Sequence, residues 1–476
     1  MKLKVERIIL SDVILCILTI IQGILLIVGK IEHSWTISSI VHFNLYMIIG
    51  LEIVTLILKD AIRNFLAMLF FICFFIFLMG QKLFMPEKNV FLTFVRTELN
   101  IDQYYVFLSI MTIGLIVTYY SYLFFVSKMK VNNGYITHNE NTAKPILPLI
   151  RLLFWLTLPF ALYMQIKIVL VRSSLSYVSG YLINVDISFI VKIIYYLFSN
   201  FTLIYLAAKP SKIETKIIII VLLITEGGMQ LLQGRRALFA TTLFFLIWYL
   251  IKYNRIAYVN YKYIFGAMGG GLLLIILFFA VEMRRSNIEV KNYNILSIVE
   301  KFMISTGGSD SVIANTIVRV GDFPKPKVWY LIDPLINNPI FVILFRKNGI
   351  SQGKVFLEKF NTFSHWISYL TEASLYESGH GMGSCYLAEV YAAFGIAGVI
   401  GLSVIIGYVI NGLSKIHLDG SIFKNSIIFV MVKNLFTLPR SGLFDFVSDL
   451  SYLLVALVII YPIYYKYCGR KLTERL

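Results

Sequence analysis

Arg235 and Arg236 stand side by side between two strongly apolar runs, 217–232 and 237–251. An unpaired charge at the bilayer midplane costs about 2.5–3.5 kcal/mol on insertion scales. The pair must therefore occupy a water-facing turn of a helical hairpin. Guanidinium forks match phosphate oxygens and stay protonated at any relevant pH, so the chemistry this turn offers is anion binding. Arg284 and Arg285 close a later apolar run, and Arg440 lies in the turn Leu438-Pro439-Arg440-Ser441 between the last two runs. Gathered in space, these five would hold a pyrophosphate. Taken singly, each is also explained by lipid head-group contact, a common role for arginine at membrane interfaces.

Other candidates lie on either side of this turn. Glu226, Gln230 and Gln233 recur at helical spacing on the run leading to Arg235, forming one polar stripe. The stripe either lines a groove, with Glu226 and Gln230 at its centre, or makes ordinary interhelical hydrogen bonds. Glu52, Lys167, Lys192 and Lys433 are isolated in apolar runs and read as structural or snorkelling residues. His365, in Phe363-Ser364-His365-Trp366, and His380, in Gly379-His380-Gly381, offer a general base near neutral pH. Packing and loop polarity are the respective alternatives. Glu389 begins a helix on which Ala393, Ala397 and Gly401 share its stripe, a spacing that predicts close packing by a neighbouring helix. No His, Cys or carboxylate spacing points to a metal, and no cofactor is expected. The glycine-serine stretch 305–311 offers a weak signal for sugar hydroxyls.

The elements that must position these groups are membrane spans. The chain is 58% hydrophobic and 14% charged, with a mean hydropathy of +0.78, which excludes a soluble domain. Its net charge of +17 is scattered through loops instead of gathered in one basic tract, arguing for anionic lipids over nucleic acid. The four cysteines show neither disulfide nor metal spacing. Apolar runs near 8–29, 36–58, 63–80, 104–126, 151–171, 187–208, 217–233, 237–252, 263–282, 386–412, 421–437 and 443–465 predict about twelve transmembrane helices. The first run is long enough to remain as a span. Basic residues fall on alternate connections, placing both termini in the cytoplasm. The expected fold is therefore an all-α polytopic membrane protein, a single integral domain over 1–476. Within it, a large extracellular cap loop over 283–385 separates the ninth and tenth helices. Residues 328–345 are apolar, but Pro334 and Pro339 favour a re-entrant or interfacial segment over a span. The segment 80–103, with Lys82 and Lys88, is expected to lie on the membrane surface.

Several local patterns occur in order: QGRRALFA at 233–240, GGSDSV at 307–312, SHWISYL at 364–370, GHGMGSCYLAEVYAAFG at 379–395 and LPRS at 438–441. Together they resemble the Wzy-type oligosaccharide repeat-unit polymerases of bacterial O-antigen and capsule pathways, over most of the chain from about residue 217. The motif around Ala388-Glu389-Val390-Tyr391 is the most specific part, and Ala392-Ala393 departs from the more polar pair expected there. The resemblance implies a GT-C-like architecture in the bacterial cytoplasmic membrane. It also implies metal-independent, inverting glycosyl transfer between undecaprenyl-pyrophosphate-linked oligosaccharides on the outer face. Arginines would hold the departing pyrophosphate, and His365 or His380, with Glu389 nearby, would deprotonate the acceptor sugar. A chain-length regulator and a flippase of the same pathway are the implied partners. An O-antigen-ligase-like transferase, or an exporter of the lipid-linked unit, is the alternative reading. Against the exporter stand the unlike halves of the chain and its one dominant outer loop.

Overall fold

The computed structural model describes residues 2–84, 89–92, 95–128, 146–173, 185–233, 235–253, 276, 294–337, 353–416 and 421–473. The expected ninth span, 263–282, falls outside the described residues apart from Ile276, and Arg284 and Arg285 fall outside them entirely.

Apolar runs of bilayer length become helices because an unpaired peptide group in hydrocarbon costs several kcal/mol, and a helix pairs nearly all of them internally. The spans are α1 (Lys2–Glu32), α2 (Trp35–Asp60), α3 (Phe65–Phe74) continued by α4 (Gly80–Phe84), and α5 (Ile101–Lys128). They continue with α6 (Leu147–Ser173), α7 (Phe189–Ala207), α8 (Lys212–Leu222) continued by α9 (Met229–Leu232), and α10 (Arg236–Tyr253). Among the described residues nine helical stretches are long and apolar enough to cross a membrane, and Ala237–Tyr253 and Phe446–Pro462 are shorter apolar helices. Between α3 and α4, and between α8 and α9, the helix widens into a π-helical turn, Phe75–Met79 and Leu223–Gly228. Such turns interrupt the ordinary ladder and recur at functional sites. Among these stretches α3–α4 is the most buried, at the centre of the bundle, whereas α1 is the least buried and turns apolar side chains such as Ile17 and Ile24 outward.

The cap follows as short helices: α11 (Ile295–Thr306), α12 (Asp310–Arg319), α13 (Val328–Ile336), α14 (Lys354–Lys359), α15 (Phe363–Thr371) and α16 (Ala373–Glu377). Asp333 holds it together, accepting from Asn361 N at 2.8 Å, Thr362 Oγ1 at 2.9 Å and Asn337 Nδ2 at 2.7 Å. Helix α17 (Tyr386–Lys415) then re-enters the bundle alongside α5, followed by α18 (Ile422–Thr437) and α19 (Phe446–Thr473).

Three expectations need correction. The segment 80–103 does not lie wholly on the surface: Gln81 and Lys82 are buried, Lys82 being 2% exposed, whereas Glu98 and Asp102 are exposed. Beyond it β1 (Asn89–Leu92) and β2 (Val95–Glu98) pair antiparallel, with Asn89 opposite Glu98, so the described fold is helical apart from one hairpin. Thr97 Oγ1 donates to Asn315 Oδ1 at 2.8 Å, tying that hairpin to α12. The small-residue stripe from Glu389 to Gly401 is broken at Gly395, whose φ of 64° and ψ of −155° are non-helical and in a region L-residues avoid. Beyond that kink Ala397 and Gly401 are exposed instead of packed against a partner helix. Lys433 is not isolated, as the next section describes.

Candidate active site

The arginine turn lies where the hydropathy pattern places it. Gln233 ends one helix, with its N–H bonded to Met229 O, and α10 begins at Arg236. Arg235 is exposed, and its backbone N–H donates to Gln230 O at 2.9 Å. On either side of the turn, Leu231 and Phe239 pack on Phe302 and Met303 of α11. At the end of the same helix, Arg440 Nη1 donates to Thr306 O at 3.4 Å, with the guanidinium 5.9 Å from the Phe77 ring centroid. Arg440 is exposed. Two of the three expected arginine turns therefore flank one short helix at the cap end of the bundle.

Glu389 is fixed beside the second of these turns. Its Oε1 accepts from Ser384 Oγ at 2.6 Å and its Oε2 from Leu443 N at 2.8 Å. It thereby binds the start of α17 to the chain just after Arg440. A side chain at Gly442 would place its Cβ 2.6 Å from Glu389 Oε1 and 2.8 Å from Asp445 Oδ1, so any larger residue would push one of the two carboxylates aside. Asp445 also accepts from Gly442 N at 2.7 Å. Burial raises its carboxyl above the usual range, and Asp449 adds to the effect.

Each side chain of the polar stripe below the arginine turn bonds to a neighbouring helix, although Gln230 Oε1 is left without a partner. Gln165 Nε2 and Gln230 Nε2 both donate to Tyr195 Oη, at 2.6 and 3.2 Å, and Gln233 donates to Gln165. Glu226, in the π-helical turn, accepts from Ser199 Oγ and forms an ion pair with Lys433 at 2.5 Å. A side chain on α18 thus neutralises one on the α8–α9 helix. The π turn sets the phase that aims Glu226 inward.

The histidines belong to the cap. His365 Nδ1 lies 3.0 Å from Tyr376 Oη, and its ring is 4.5 Å from that of Phe356. Burial lowers its pKa and Asp333 pulls the other way, leaving a neutral imidazole of the kind a base requires. Burial pushes the Tyr376 hydroxyl up to about 12. His380 Nδ1 lies 2.9 Å from Ser378 Oγ, in a turn where Gly379 has φ of 95°.

A further polar cluster went unpredicted. Lys82, at the end of α4, lies 5.7 Å from the Tyr104 ring centroid and acts electrostatically on Asp310, the first residue of α12. Tyr104 Oη is 3.4 Å from His42 Nδ1, His42 Nε2 is 3.0 Å from Tyr46 Oη, and Tyr46 donates to Met79 O at 2.9 Å. Asp310 is 0% exposed, and no side chain hydrogen-bonds to either of its carboxylate oxygens. Burial raises its pKa to about 7, against the pull of Lys82 and of nearby backbone N–H groups. Cys385 lies within electrostatic reach of both Asp310 and Glu389, so the new cluster adjoins the arginine-turn site. The only sequence signal was Asp310 inside the glycine-serine stretch. Its pairing with Lys82 is a product of the fold.

A family model described as O-antigen polysaccharide polymerase Wzy matches residues 9–471. The chain belongs to that family. As a Wzy-family member it is a multi-pass membrane protein and a glycosyltransferase-type polymerase of polysaccharide biosynthesis, acting on lipid-linked oligosaccharide repeat units. The match runs through the N-terminal helices, where sequence motifs offered hydropathy alone. No curated protein and no solved structure shows significant similarity to the chain.

Proposed function

We propose that the chain joins undecaprenyl-pyrophosphate-linked oligosaccharide repeat units into an O-antigen-type or capsular polymer on the outer face of the bacterial cytoplasmic membrane. The observation that carries this reading is the convergence of the Arg235 and Arg440 turns on one cap helix in a Wzy-family chain. Arg235, Arg236 and Arg440, joined by Arg284 and Arg285, hold the donor pyrophosphate and offset the charge that grows on it as the glycosidic bond breaks. The acceptor hydroxyl attacks the anomeric carbon from the opposite side, inverting it, without a metal. His365, His380 and Glu389 are the bases the sequence offers. Positioning two lipid-linked chains supplies much of the remaining acceleration. Both termini lie in the cytoplasm, the cap over 283–385 lies outside, and a chain-length regulator and flippase act with the enzyme.

Purified protein incubated with one defined lipid-linked repeat unit, with and without EDTA, tests the reaction. A ladder of polymer that persists in EDTA is the expected result. A single transfer to a foreign acceptor points to a ligase, movement of the unit across vesicles without a ladder to an exporter, and loss of the ladder in EDTA overturns the metal-free mechanism. Orientation is tested by impermeant thiol labelling on intact cells. Cysteine at exposed Glu377 in the cap should react, and cysteine at exposed Lys212 at the opposite end should not.

A further inference from the structure

The Asp310 carboxylate at the cap–bundle junction is buried in the first turn of α12 with no side chain hydrogen-bonded to it. A buried polar group without a partner costs free energy, and native proteins carry few of them. Glu389 nearby shows the usual solution, with both oxygens occupied by Ser384 and the Leu443 N–H. Asp310 is more deeply buried and keeps its lone pairs. It faces Lys82 from α4, Tyr46 from α2, Tyr104 from α5 and Cys385 at the start of α17. It also stands four residues beyond Thr306, the residue that Arg440 grips.

Resting on the polymerase reading above, we propose that Asp310, with Lys82 as its charge partner, is the base that accepts the proton of the acceptor sugar hydroxyl. As the hydroxyl oxygen bonds to the donor's anomeric carbon, its proton passes to an Asp310 carboxylate oxygen. The bond from that carbon to the pyrophosphate oxygen breaks, and its electron pair leaves with the lipid pyrophosphate. Lys82 keeps enough of the buried carboxylate ionised to work near neutral pH. Glu389 is then a positioning residue, holding the Arg440 turn against α17.

The test is in vitro polymerisation of a defined lipid-linked repeat unit across pH, with wild type, Asp310→Asn and Lys82→Gln. Asp310→Asn should lose at least about 100-fold in turnover, the range general-base removal gives, while thermal unfolding stays at or above that of wild type. Wild-type turnover should rise as pH passes through neutrality. Lys82→Gln should move that rise to higher pH by about one unit or more, because loss of a nearby cation favours the neutral acid. A structural role for either residue would not move the profile. Asp310→Asn within threefold of wild type, or an unmoved profile in Lys82→Gln, overturns the assignment. Wild type that makes no ladder at any pH overturns the polymerase reading as well, which separates the two failures.

Discussion

Glu226 and Asp310 are both carboxylates sealed inside a membrane protein, and they are held in opposite ways. Glu226 has Ser199 on one oxygen and Lys433 on the other, from helices far apart in sequence. Asp310 has a cation within electrostatic reach but no hydrogen-bond partner. A buried charge with its partners in place belongs to the scaffold, since removing one partner is costly while replacing both is often nearly neutral. A buried charge without them carries a penalty that packing does not explain. Glu52, equally buried and likewise without a hydrogen-bond partner, shows that this state alone does not mark the reaction; Lys82 and the adjoining Arg440 turn are what single out Asp310.

Breaking the scaffold side should give the largest effect. Lys433→Ala leaves Glu226 buried and unpaired, and should cost about 3–5 kcal/mol of stability. The double variant Lys433→Met/Glu226→Gln should recover most of it, measured by unfolding in detergent, with turnover per folded molecule retained. Loss of turnover in that well-folded double variant would place Glu226 in the substrate path instead.

On the reactive side, Arg235 is exposed and Arg236 adjoins it. Alanine at either position should lower turnover by about 10²- to 10³-fold, the scale for removing a charge-stabilising donor, with little change in thermal stability. Lysine should recover part of it, keeping charge without the fork. Normal ladder length in both alanine variants at matched protein levels would remove the pair from the site.

Glu389→Gln keeps an acceptor for the Leu443 N–H but alters the pairing with Ser384, and should cost about 1–2 kcal/mol. Turnover should fall in parallel with the looser Arg440 turn. In the same panel, His365→Ala and His380→Ala test the cap bases. A loss of most of the rate in His365→Ala, with donor binding retained, would return the proton transfer to the cap.

The smallest effect sharpens the comparison through pH. Asp310 is raised from 3.8 to about 7, so the fold favours its neutral form. That stabilisation is complete below about 3.8 and is lost as pH rises through about 7. Asp310→Asn should therefore unfold near the wild-type temperature at pH 4, and a few degrees above it at pH 8. A constant difference across this range would show that Asp310 does not titrate in the folded state.

The helices were legible because the hydrocarbon core demands long apolar runs. The expected span 104–126 is seen as α5, Ile101–Lys128, and 386–412 as α17, Tyr386–Lys415. The Arg235–Arg236 turn was legible for the complementary reason, since two guanidiniums cannot sit inside such a run. Pairings across the fold were not. Lys433 looked isolated because its partner Glu226 is 207 residues away. Lys82 read as a surface residue because the segment it opens carries Lys88, Arg96, Glu98 and Asp102, while its neighbours in space are Tyr104 and Asp310. The kink at Gly395 was hidden because glycine also fits an unbroken packing stripe.

The π-helical turn at Phe75–Met79 bears on how such a chain tolerates insertion and deletion. Taking one residue out of that turn would let the helix close into an ordinary one, leaving its hydropathy and its length almost the same. Everything beyond it, Lys82 included, would swing round the helix axis by roughly 100°. Substitutions along this stretch that keep its apolar bulk leave that phase intact; a shift of one position does not, and two chains with indistinguishable hydropathy can differ in whether Lys82 meets Asp310 at all.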